Sequence, residues 1–204
     1  KFYVVKWAVG GTSIAPDYNA SKGRFWSAAP EWLAQAKPTS DGGNSLLLSF
    51  IQEIDMCIDK TLSRLKDGYQ IDAFLWHQGE SDYAKSKDYY RNLKTMVAYV
   101  RMHLTEKTGK DYSRLPFIFG TVARSNKYFS REVENAMKQL AAEDPNMHLI
   151  DMSGAELLND RLHFTAHSAE YLGQQVYKQL EQIIKGVIVR TDELKGKRLG
   201  IIGD

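Results

Sequence analysis

An aspartate and a histidine three residues apart, Asp160 and His163 in "NDRLHFTAHS" (159–168), lie where the chain leaves an apolar run and enters a helical pattern. In acyl transfer by a serine, the base is an imidazole with one ring nitrogen held by a carboxylate and the other facing the nucleophile. A three-residue spacing across a tight turn brings the two side chains within hydrogen-bonding reach. Local sequence alone therefore offers Asp160 and His163 as acid and base, with His167 as the rival base. A solvated turn with surface histidines is the plainer account of the same residues.

Two further stretches carry chemistry-bearing types. In "GGTS", Gly10 and Gly11 let the backbone approach a ligand closely and leave an amide to donate to a developing oxyanion, flanked by Thr12 and Ser13. A simple turn satisfies this stretch equally. In "WHQGESD" (76–82), Gln78 brings a side-chain amide donor, Gly79 a tight turn, and Glu80 and Asp82 carboxylates that can orient neighbours. An acidic first turn of a helix also explains Glu80 and Asp82.

Such residues need a scaffold, and the apolar pattern supplies one. Short runs rich in β-branched and aromatic residues occur at 2–11, 71–78, 116–123 and 148–153. Continuous apolarity in short runs fits strands buried on both faces, as in a parallel sheet. Between them lie one-sided helical stripes: Leu47 to Leu65, Tyr89 to Leu104, Val133 to Leu140, and Leu172 to Ile183 ending near Gly186. The alternation predicts a three-layer α/β/α domain around a central parallel sheet, with the site at the carboxyl ends of the strands. GGTS, WHQGESD and the Asp160 turn all follow strands, where that architecture puts its site.

Residues 12–44 interrupt the alternation with turn formers beside Tyr18, Phe25, Trp26 and Trp32. Long excursions in compact domains are often functional, and aromatic faces stack on sugar rings. Tyr18, Trp26 and Trp32 are thus candidate rim residues, or side chains that pin the loop to the body.

Composition excludes several classes. A length of 204 residues suits one core, and 27 basic against 25 acidic residues give a net charge of +2. No field strong enough to gather nucleic acid or a membrane surface is implied. The single cysteine, Cys57, sits in a helical apolar pattern and reads as a buried thiol. Histidines at 77, 103, 148, 163 and 167 show no metal-ligand spacing, and no glycine-rich phosphate loop follows a strand. No signal peptide pattern opens the chain, and it reads as a soluble domain with its compartment open.

The stretches "VVKWAVGGTSIA" (4–15), "WHQGESD" and "DRLHFTAHSAEYLG" (160–173) together resemble the SGNH hydrolase superfamily, over about residues 2 to 180. The likeness is greatest to its carbohydrate acetylesterase branch, which includes sialic acid acetylesterase-like and acetylxylan esterase-like domains. That resemblance implies a flavodoxin-like fold and hydrolysis of O-acetyl groups on carbohydrate through an acyl-enzyme, with neither metal nor organic cofactor. It implies Asp160 and His163 as acid and base, and Gly11 and Gln78 as oxyanion donors. Gly10, Thr12, Gly79, Glu80 and Asp82 would support them. The substrate class favours a secreted or periplasmic setting.

The family's nucleophilic serine stands in a Gly-Gln-Ser-Asn motif after the first strand, and no such motif occurs in this chain. Three accounts follow. The chain is a piece of a longer protein whose first strand is supplied elsewhere, by another segment or a complementing chain. Or "KRLGIIGD" (197–204), which looks like the opening strand of a Gly-Asp-Ser (GDSL-like) domain, fills the vacant slot or begins a second such domain. Or Ser13 is the nucleophile. The expected organisation is an esterase-like domain over 1–186, a linker over 187–196 and this strand. A glycan-binding module without catalysis is the rival function.

Overall fold

The computed structural model describes residues 2–17, 23–190 and 197–203, with residues 2, 187–190 and 197–203 as backbone only. Five parallel strands form one sheet in the order β1-β5-β2-β3-β4: β1 Phe2–Trp7, β2 Tyr69–Trp76, β3 Phe117–Gly120, β4 Met147–Ile150 and β5 Lys197–Gly203. β5 is paired on both edges, Gly200 lying opposite Val4 of β1 and Ala73 of β2. It thereby satisfies two rows of backbone donors and acceptors that would otherwise lack partners.

The period-two alternation of β2 and β3 sorts their side chains between two cores. Phe74, Trp76, Phe117 and Phe119 meet α2 (Leu46–Lys60), α3 (Tyr89–Thr108) and α4 (Arg131–Glu143) on one face. Ala73, Leu75 and Ile118 meet Leu172, Val176, Leu180 and Ile183 of α5 (Ala166–Arg190) on the other. This is the three-layer α/β/α arrangement the alternation predicts. Cys57 lies on α2 packed against the larger core, where burial pushes its thiol pKa up.

Helix boundaries follow capping chemistry. Ser45 accepts from Leu48 N at 3.1 Å to start α2, Ser130 does the same for Val133 N in α4, and Gly109 ends α3 in a left-handed conformation. One boundary departs from expectation. α5 runs through Gly186 to Arg190, so residues 187–190 of the expected linker are helical. A single glycine costs a helix only about 1 kcal/mol, less than an amphipathic face packed on a sheet returns. Residues 191–196 lie outside the described residues. Among the described residues no helix is long and apolar enough to cross a membrane.

The excursion after β1 also contains a one-turn helix, α1 (Pro30–Leu33), and packs inward. Trp26 is fully buried, edge-on to Trp76 at 5.2 Å, and donates from Nε1 to Thr12 Oγ1 at 3.0 Å. Trp32 is buried against Phe25 at 5.4 Å. Both are corrected from rim candidates to core residues, because indole area returns more free energy under the loop than left in water. Tyr18 lies outside the described residues.

Candidate active site

The loops that follow β1, β2, β3 and β4 meet around a cleft of about 290 Å³ lined by Gly10, Gly11, Thr12, Gln78, Glu80 and His163, together with Val9, His77, Ser81, Tyr128, Leu162 and Phe164. It lies at the carboxyl ends of the strands.

The candidate acid–base pair is built within one turn. Asp160 Oδ2 stands 2.6 Å from His163 Nδ1, while Asp160 Oδ1 accepts from the backbone amides of Leu162 and His163 at 2.9 and 3.1 Å. One carboxylate thus holds both the ring and the peptide that carries it. These hydrogen bonds, the imidazole's first, lower the Asp160 pKa from 3.8 to about 2. The turn requires Arg161 at φ 55°, the one positive φ outside glycine among the described residues. It is held by Arg161 N donating to Leu158 O at 2.9 Å, and Arg161 O accepting from Lys127 N at 3.0 Å.

A left-handed conformation strains any residue with a Cβ by roughly 1–2 kcal/mol. Arg161→Gly is therefore expected to leave the melting temperature within about 3 °C, relieved strain offsetting lost side-chain contacts. A β-branched Arg161→Val is expected to lower stability by about 1–2 kcal/mol. Thermal denaturation of the two variants checks this, and equal stability would remove strain from the account of the turn.

His167 does not share the cleft. It faces a separate cavity of about 320 Å³ with Asp151, Glu156, Ser168 and Tyr171. Among the five histidines, His77 and His163 line the cleft, His77 lying 5.1 Å from the Phe164 ring. His103 pairs with Asp55 at 2.8 Å on the helical face, and burial lowers the His148 pKa.

The supporting residues of WHQGESD have unequal roles. Asp82 is fully buried and accepts from Ser13 Oγ at 2.7 Å, Ile14 N at 2.9 Å, Ala15 N at 3.0 Å and Gln78 Nε2 at 2.5 Å. It locks the loop after β1 to the loop after β2. Gln78 Nε2 also donates to Thr12 O at 3.1 Å, and the Tyr89 hydroxyl lies 3.3 Å from Gln78 Oε1. Both amide protons of Gln78 are thus engaged in holding the glycine loop. Thr12 Oγ1 donates to Val9 O at 2.8 Å, tightening the turn in which Gly11 takes φ 74°.

Gly79 has φ 155°, and a Cβ there would stand 2.9 Å from Val122 Cγ2. Its conformation and its close approach to Val122 both require glycine. Ser13 is buried, its hydroxyl 2.7 Å from Asp82 Oδ1 and 3.0 Å from Ala15 O.

Sequence reasoning missed Tyr128, Ser81, Leu162 and Phe164 in the cleft wall, and Asn126 behind it. Asn126 is buried, donates from Nδ2 to Leu162 O at 3.2 Å and accepts from Tyr128 N at 2.8 Å. Ser81, Leu162 and Phe164 lie inside the stretches already singled out, whereas for Tyr128 and Asn126 the cue in the sequence is that "RSNKYF" (124–129) follows a strand.

Comparison with known proteins places these features in a family. A family model described as "Carbohydrate esterase, sialic acid-specific acetylesterase" matches residues 2–182. A curated Arabidopsis thaliana protein named "Probable carbohydrate esterase" is 29% identical over 119 residues, covering 57% of this chain and 42% of that protein. An X-ray structure of an Arabidopsis thaliana protein superposes with a TM-score of 0.54 at 26% identity, covering 67% of this chain and 52% of that one. The curated protein and the X-ray structure are the same Arabidopsis protein, and the matches span about half of its length.

Proposed function

The chain belongs to the carbohydrate esterase, sialic acid-specific acetylesterase family, and on that premise we propose that it forms the acid–base and oxyanion side of a serine esterase that removes O-acetyl groups from carbohydrate. The observation that carries this reading is the 2.6 Å bond between Asp160 and His163 at the edge of a cleft that also contains Gly10 and Gly11.

In the proposed reaction a serine hydroxyl attacks the acetyl carbonyl carbon and passes its proton to the free nitrogen of His163. The carbonyl oxygen becomes an oxyanion, stabilised by the amide of Gly11 and, once one of its protons is released from the loop, by Gln78. Asp160 stabilises the imidazolium. Collapse breaks the bond to the sugar oxygen, which takes the proton back from His163 and leaves as the alcohol. Water then attacks the acetyl-enzyme with His163 again as base, releasing acetate and restoring the serine. No metal or organic cofactor takes part.

The serine is proposed to emerge from the carboxyl end of a strand in the β5 position. Gly203 of β5 pairs with Trp7 of β1 and Trp76 of β2, level with the starts of the glycine loop and of WHQGESD. In a longer parent that strand opens the nucleophile segment or a following domain. A complementing chain is the other source.

Incubating the nucleophile-bearing protein with O-acetylated pyranosides is expected to release acetate, and a fluorophosphonate probe is expected to label a serine outside residues 1–204. Binding of acetylated sugar without acetate release supports the glycan-binding alternative instead. A label on Ser81, which lines the cleft, would move the nucleophile into this chain.

A further inference from the structure

We propose that Tyr83 and Tyr128 form a sugar-stacking platform at the rim of the cleft and set the preference for a pyranose ring over a simple acyl ester. The proposal rests on the esterase reading only for the identity of the ligand as carbohydrate.

Four observations converge. The two rings lie 5.0 Å apart with an interplanar angle of 33°, within the range of a stable aromatic pair. Both stay in solvent, Tyr83 at 48% and Tyr128 at 37% exposure, although packing inward would bury their apolar area. Scattered surface aromatics need no explanation, but a tilted, exposed pair beside a cleft does. Tyr128 lines the same cleft as His163, and Tyr83 projects from the short helical stretch Glu80–Asp88 that directly follows WHQG.

The fourth observation is rigidity. Tyr128 is fixed to the acid–base turn through its backbone: buried Asn126 joins Tyr128 N to Leu162 O, and Lys127 N donates to Arg161 O. Behind it, Arg124 grips the buried carboxylate of Glu134 on α4 with bonds of 2.7 and 3.2 Å. A loop without function at the cleft needs no such staples to the turn that carries His163. The backbone that carries Tyr128 is therefore fixed relative to the turn that carries His163, as a platform needs if it is to present one ester group and not another.

Stacking contributes through the ring face and not the hydroxyl, so the conservative variant separates the two roles. Affinity for a mono-O-acetylated methyl pyranoside, measured by saturation-transfer NMR, is expected to fall about five- to tenfold in Tyr128→Ala and in Tyr83→Ala, and less than twofold in Tyr128→Phe. In the nucleophile-bearing protein, the ratio of kcat/KM for that pyranoside over 4-nitrophenyl acetate falls by the same factor, chiefly through KM. Equal loss in Tyr128→Phe and Tyr128→Ala overturns the platform. So does wild-type affinity in both alanine variants, or a wild-type protein that binds no pyranoside. If the sugar binds and the alanine variants weaken it while no acetate is ever released, the platform stands and the esterase reading fails.

Discussion

His163→Ala in the nucleophile-bearing protein is expected to reduce kcat for acetyl release by about a thousandfold or more, while KM changes by less than about threefold. The Asp160 carboxylate holds this imidazole in a base's geometry, and in the proposed reaction it takes up a proton as the transition state forms. Its loss therefore raises the barrier without weakening ground-state binding.

Asp160→Asn is expected to cost less, about a hundredfold. The carboxylate orients the ring, but Asp160 and His163 are 43% and 70% exposed, where water competes for both and supplies part of the lost orientation. Because the Asp160 pKa is lowered to about 2, a loss of rate as pH falls from 7 to 4 cannot come from protonating that carboxylate. Steady-state kinetics between pH 4 and 8 on both variants tests the pair. Undiminished turnover in His163→Ala would end the assignment of base.

Asp82→Asn is expected to lower stability by about 3 kcal/mol and the melting temperature by about 6–12 °C. Its two oxygens accept from four donors, including the amides of Ile14 and Ala15 in the loop after β1 and the side chain of Gln78 after β2. An asparagine keeps one oxygen and turns an NH2 group toward donors, leaving buried amides unpaired. Since the same bonds hold the glycine loop in place, the variant is also expected to lose ester hydrolysis before it unfolds. Differential scanning calorimetry alongside the rate assay measures both. An unchanged melting curve would show that Asp82 does not clamp the loops. Ser13 is buried with its hydroxyl donating to Asp82 and is not among the residues that line the cleft.

Much of this was legible in the order of residues. Each apolar run read as a strand from 2, 71, 116 and 148 overlaps β1, β2, β3 and β4, because strands buried on both faces admit few polar residues. The stripes Tyr89 to Leu104 and Val133 to Leu140 fall inside α3 and α4 for the same reason of one-sided burial. The start of α5 was less visible, since Ala166 to Tyr171 lie on its polar first turns and the apolar stripe begins only at Leu172.

What the sequence by itself determined is everything that depends on neighbours along the chain: the alternation of strand and helix, and the Asp160–His163 bond across three residues. A turn that short leaves its side chains few other arrangements. Only the tertiary structure decided which cavity His77, His163 and His167 face, that Trp26 and Trp32 belong to the core, that Asp82 joins two loops nearly seventy residues apart, and that Tyr83 meets Tyr128. Those outcomes turn on how much area a side chain buries against distant partners and on which donors reach a buried carboxylate. Both are properties of the whole packed chain, and no local pattern encodes them.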